Sequence, residues 1–131
     1  MRRAGLLIFS LLLACFVLGA HRANAQSLAG TWSISNSAPN SCPGKLQINS
    51  AGASSGEYTG IATFQCGSDP AVTESFDIAV AHGIVTMRGH NASGPWCADS
   101  YTLNLLSDSA MTGSSKDGCG ATGTVFLSKA Q

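Results

Sequence analysis

Trp96 sits in the stretch Ser93-Gly94-Pro95-Trp96-Cys97, where a proline stiffens the approach and a cysteine anchors the exit. An aromatic side chain on a stapled loop can serve as a binding anchor. It can equally cap one end of a core and pack on the neighbouring disulfide. The other chemistry-bearing residues do not assemble into a catalytic set. His82 precedes Gly83 and His90 precedes Asn91, and both read as exposed turn positions rather than general bases. Glu57, Glu74, Asp77 and Asp99 are dispersed, and no spacing pairs two of them for acid–base work. Serines are abundant, yet no G-x-S-x-G elbow occurs. The run Gly118-Cys119-Gly120-Ala121-Thr122-Gly123 is glycine-rich without the strand–helix context of a phosphate loop. Asn91-Ala92-Ser93 has the form of a glycosylation sequon. An enzyme is therefore not expected.

The cysteines say more. Cys42, Cys66, Cys97 and Cys119 follow a segment with the three zones of a signal peptide: Arg2 and Arg3, an apolar run from Ala4 to Ala20 broken only by Ser10, and the small residues Ala23 and Ala25. Cleavage is expected between Ala25 and Gln26, giving a signal peptide over 1–25 and one domain over 26–131. Two other readings of this segment exist. It could persist as an anchor at the lower edge of spanning length. Alternatively, Leu12-Leu13-Ala14-Cys15 resembles a lipoprotein box that would lipidate Cys15, which would be the mature chain's one route to a membrane. Four cysteines in an exported domain imply two disulfides. Of three pairings, the near-neighbour one, Cys42–Cys66 with Cys97–Cys119, is favoured. Each bond would contribute roughly 3 kcal/mol by restricting the unfolded chain. No C-x-x-C is present and neither His82 nor His90 lies at zinc-ligand spacing from a cysteine, so no metal or other cofactor is expected.

Removal of Arg2, Arg3 and Arg22 leaves Lys45, Arg88, Lys116 and Lys129 against seven carboxylates, a net charge of −3 with histidines neutral. Four scattered cations make no footprint for nucleic acid or an anionic membrane, so neither is an expected partner.

The elements that must position these residues are strands. Beyond Gln26 the apolar residues alternate in short runs: 30–35 with Trp32 and Ile34, 45–49 with Leu46 and Ile48, 57–66 with Tyr58, Gly60, Ala62 and Phe64. Then come 75–81 with Phe76, Ile78 and Val80, 84–90 with Val85 and Met87, and 99–106 with Tyr101, Leu103 and Leu105. A weaker run over 109–114 and a last one over 122–128 with Val125 and Leu127 complete eight strands. Turn residues such as Gly67-Ser68-Asp69-Pro70 and Lys116-Asp117-Gly118 separate them. Short connections favour antiparallel neighbours, and closure would remove the sheet edges. The expected fold is all-β, an up-and-down antiparallel eight-stranded barrel, with a sandwich as the alternative. Such a barrel is just wide enough to be filled by side chains or to hold one small ligand. A packed interior is the expectation; a small-ligand carrier of lipocalin or avidin type would instead need a cavity lined by Trp32, Tyr58 and Phe76.

Leu28-Ala29-Gly30-Thr31-Trp32 at the start of the first strand, Cys42 before the second, Cys66 after the third, and the closing Met111-Thr112-Gly113 and Gly123-Thr124-Val125-Phe126-Leu127-Ser128 together resemble the bacterial metalloprotease inhibitors. That resemblance implies a small periplasmic eight-stranded barrel protecting its producer from serralysin-type proteases. In that family an N-terminal arm enters the protease cleft and places its terminal amine on the catalytic zinc. Carried over, Gln26, Ser27 and Leu28 would make the contact, with Trp96 as the alternative anchor. Two departures stand out. Only Gln26 and Ser27 precede Leu28, so the extended arm is missing, and Cys97 and Cys119 form an additional pair. The expectation is a periplasmic or secreted binding protein whose partner is a secreted protease or another protein.

Overall fold

The computed structural model describes residues 27–50 and 52–131. The segment 1–25 expected as a signal peptide, Cys15 within it, and Gln26 lie outside the described residues. Eight strands follow in chain order: β1 (Gly30–Asn36), β2 (Gly44–Asn49), β3 (Glu57–Phe64), β4 (Val72–Ala81), β5 (Ile84–His90), β6 (Asp99–Ser107), β7 (Ala110–Asp117) and β8 (Thr122–Lys129). Each pairs antiparallel with its sequence neighbours, and β1 pairs with β8, so the sheet closes into an up-and-down barrel. The expected fold is the observed one. A one-turn 3₁₀ segment, Ala53–Ser55, lies between β2 and β3.

Alternation decides which side chains go inside. Along β3 and β4 burial switches with every residue, because successive side chains point to opposite faces of a strand. Trp32, Leu46, Ile48, Ala62, Phe76, Val85, Met87, Tyr101, Leu103, Met111, Val125 and Leu127 come together as one core. Phe76 and Tyr101 stack with ring centroids 5.5 Å apart. Trp32 and Phe76, two of the three residues that a ligand cavity would have to expose, retain essentially no free surface, and Tyr58 is buried beside them. The barrel is filled by its own side chains.

The two ends differ. One carries the start of β1, the hairpins at 82–83 and 108–109, and the end of β8. His82 and Gly83 both adopt positive φ, +52° and +76°, the conformation that the tightest hairpins require. Leu28 is 1% exposed and plugs this end, its carbonyl accepting a hydrogen bond of 2.8 Å from the Trp32 indole N–H. The Lys129 ammonium lies 5.6 Å from the centroid of the Trp32 ring and donates to the Ser27 carbonyl. The opposite end gathers the connections 37–43, 65–71, 91–98 and 118–121, and with them all four described cysteines.

Some strand limits differ from those expected. β4 begins at Val72 rather than Ser75, β3 stops at Phe64 rather than Cys66, and β7 extends to Asp117. The β7 extension is not an apolar run. It is held by pairing of Ser114, Ser115 and Lys116 with β6 and β8, which a hydrophobic pattern cannot reveal.

The Trp32 indole bond ties the plug to the core, and its removal should be costly. Trp32→Phe leaves the buried Leu28 carbonyl without its donor and opens a small void, so chemical denaturation should show a loss of about 2–4 kcal/mol.

Candidate functional site

The mouth formed by the connections 37–43, 65–71, 91–98 and 118–121 is fixed by covalent and polar ties. Cys42–Cys66 joins the β1–β2 and β3–β4 connections, with Cα atoms 5.2 Å apart. Cys97–Cys119 joins the β5–β6 and β7–β8 connections, with Cα atoms 5.8 Å apart. This is the near-neighbour pairing, and two disulfides mark an oxidising, extracytoplasmic environment. Within the connections, polar side chains close the backbone on itself. Asp117 Oδ1 accepts from the N–H groups of Cys119 and Ala121 at 3.0 and 2.8 Å. Asn36 Oδ1 accepts from the Ala38 N–H and the Ser115 hydroxyl, both at 2.9 Å. Thr73 N–H donates to Ser93 Oγ while Ser93 N–H returns a bond to the Thr73 carbonyl, fastening the Trp96 connection to β4.

These ties frame a cleft of about 390 Å³. Trp96, Pro95 and Pro39 line it with the buried Phe64 and Val72, while Glu74, Asp99 and Asp117 supply three carboxylates. No lysine, arginine or histidine is among the lining residues. Glu74 is 3% exposed and occupies an inward position of β4, in phase with Val72 and Phe76. Its Oε1 accepts from the Asp99 N–H at 2.6 Å. Across the pair β4–β5, Gly89 makes this arrangement possible, since a Cβ there would occupy the space taken by the Glu74 carboxyl and the Asp99 carbonyl. Asp99 Oδ2 in turn accepts from the Tyr101 hydroxyl at 3.0 Å.

Burial governs the ionisation of this group of residues. Desolvation pushes the Glu74 carboxyl up to about 7, the Asp99 N–H opposing this and the Asp99 charge adding to it. Asp99 is raised for the same first reason, against the pull of the Tyr101 hydroxyl bond and with a contribution from Asp117. Tyr101 is raised by burial, and then by the adjacent Asp99. Among the described residues no group of histidines, cysteines and carboxylates is arranged to hold a metal ion.

The sequence-derived candidates fall at opposite ends of the barrel. Trp96 is 41% exposed and lines the cleft beside Cys97 and Cys119. Ser27 is exposed at the far end, and Gln26 is outside the described residues. Leu28, expected as a contact, is instead a core residue; its side chain fills the barrel end, and reaching a partner would mean unplugging it. His82 occupies the hairpin turn as expected. His90 lies 3.4 Å from the exposed Asp77 on the outer wall, away from the cleft lining. Glu74 and Asp99 were legible only as dispersed acids, and the structure brings them into contact.

No family model matches the chain, and no curated protein matches it. A solved redesigned β-barrel is similar in structure, with a TM-score of 0.65 at 16% identity over 82% of this chain and 96% of that one. At that identity the likeness concerns the barrel fold alone.

The raised Glu74 carboxyl gives stability a definite pH dependence. Between the ordinary value of 4.5 and about 7 the folded chain binds a proton that the unfolded chain has released, so stability falls as pH rises through this window. Glu74→Gln keeps an acceptor for the Asp99 N–H and removes the charge. Urea denaturation from pH 4 to 8 should show a flatter profile for this variant and a higher midpoint than wild type at pH 8.

Proposed function

We propose that this chain is an exported, non-enzymatic binding barrel whose disulfide-stapled mouth engages a protein partner, a periplasmic or secreted protease being the first partner class to consider. The observation that carries this reading is the cleft at Trp96. It combines an exposed aromatic side chain, proline-stiffened walls and two disulfides, so the surface is organised before a partner arrives and little ordering entropy remains to be lost on binding. Export agrees with the signal-like segment 1–25 and with the disulfides.

An inhibitor-like role follows the resemblance described above, but with a different contact surface. With cleavage after Ala25, burial of Leu28 would leave only Gln26 and Ser27 ahead of the barrel to act as an arm, whereas Trp96 is partly exposed in the cleft at the other end. The filled interior argues against a small-ligand carrier of lipocalin or avidin type, because Trp32 and Phe76 offer no surface to a ligand.

The test is an inhibition assay with the mature 26–131 protein against serralysin-type and other secreted proteases. Inhibition should weaken at least about tenfold in Trp96→Ala, as for a central aromatic anchor, and survive removal of residues 26–27. If no protease is affected at micromolar excess, the inhibitor role fails. If removal of 26–27 abolishes inhibition while Trp96→Ala is silent, the site lies at the N-terminus instead.

A further inference from the structure

We infer that the mouth cleft takes a lysine or arginine side chain of its partner, seated between the Trp96 ring and the Glu74 carboxylate. This rests on the mouth being the binding surface and adds the chemistry of what it binds. The cleft has an aromatic wall and carboxylates from three different strands: Glu74 on β4, Asp99 on β6 and Asp117 on β7. Within the fold these acids are answered only by hydrogen bonds, from the Asp99 N–H, the Tyr101 hydroxyl and the Cys119 and Ala121 N–H groups. Among the described residues none has a cationic partner. The four described cations are placed elsewhere, with Lys45, Arg88 and Lys116 exposed at outward positions of β2, β5 and β7 and Lys129 at the plugged end.

A long basic side chain answers both features of the cleft. Its methylenes can lie along Pro95 and Trp96 while its charged head approaches the acids. A cation near an aromatic face is attracted by the ring, more strongly where water is excluded. An acidic side chain would meet three carboxylates of its own sign, and a neutral one would leave the acids unanswered. The net charge of −3 on the mature chain favours the approach of a basic surface as well.

The groups that face Glu74 set the pH response. They are Asp99 and Tyr101 from β6 and Asp117 from β7; β3 presents Phe64 and Ala62, β5 presents Gly89, and His90 is engaged outside with Asp77. All the facing ionisable groups are acids, so binding of a cation should strengthen as pH rises through about 7.

Three peptides test this at pH 8 by NMR titration of the mature protein: acetyl-Gly-Lys-Gly-amide, the same peptide with norleucine, and the same with glutamate. Shifts confined to the mouth, with the lysine peptide at least about fivefold tighter than the norleucine peptide, are expected from a partly desolvated cation beside an aromatic ring and a carboxylate. That advantage should shrink at pH 6 and be lost in Glu74→Gln, whose unchanged core spectrum reports that it is folded. Equal binding of the lysine and norleucine peptides, abolished by Trp96→Ala, would overturn the cation inference and leave the mouth as an apolar binding surface. Lysine-dependent shifts elsewhere, or none up to 10 mM peptide, would also overturn it; the protease assay with Trp96→Ala then decides separately whether the mouth binds at all.

Discussion

Closure of β8 onto β1 is the constraint from which the rest of this structure follows. A closed ring leaves no unpaired edge, so every strand must keep register with two neighbours at once. A slip of one residue in any strand would turn its entire apolar set outward and its polar set inward. Register therefore decides which residues meet inside as well as which are buried. In the middle of the barrel these are apolar. At one end the inward positions of β1, β4, β6 and β7 hold Asn36, Glu74, Asp99, Ser115 and Asp117, and closure obliges them to share one mouth.

The two ends solve different problems. At the start of β1 the chain covers the core with Leu28, fastened by the Trp32 indole bond, and the end is sealed by apolar contact. At the other end the polar inward residues cannot be sealed that way. Their buried groups are satisfied by backbone N–H groups and hydroxyls, which the disulfide-linked connections hold in place. The stiffness of the mouth thus follows from what it covers: a carboxyl with so little water around it needs donors that do not wander.

Much of the fold was legible in the sequence because alternation is read directly from residue types. Phe76-x-Ile78-x-Val80 and Tyr101-x-Leu103-x-Leu105 leave little freedom in assigning faces. The disulfide pairing, favoured among three, followed from proximity along the chain. The mouth was not legible to the same degree. Starting β4 at Ser75 excluded Glu74 from its strand, although Val72-x-Glu74-x-Phe76 continues the same period. Asp99 lies in phase with Tyr101 in the same way, and Asp117 with Ser115. A charged residue on the apolar phase was the available signal; hydrophobic patterning discards it because it treats such a residue as the end of a strand. That Glu74 and Asp99 touch depends on the β4–β5–β6 register, which no local pattern supplies. Leu28 entered as a contact only through the family resemblance, whereas an apolar side chain four residues before the indole that bonds its carbonyl folds back onto the core.

What the fold asks of Glu74 and what Glu74 supplies are not the same. The fold needs an acceptor for the Asp99 N–H and a side chain of this size opposite Gly89. A glutamine would meet both needs without the cost of holding a charge away from water. The negative charge is therefore surplus to the barrel's own stability above pH 7, where it opposes folding. Under the binding role proposed above, the charge acts on the partner rather than on the packing. Here it faces a cleft with an aromatic wall and no cation among its described lining residues. The physics that makes Glu74 a poor core residue makes it a strong partner for an incoming positive charge, because removing water from the site raises the value of the pairing as it raises the penalty for leaving the carboxylate alone.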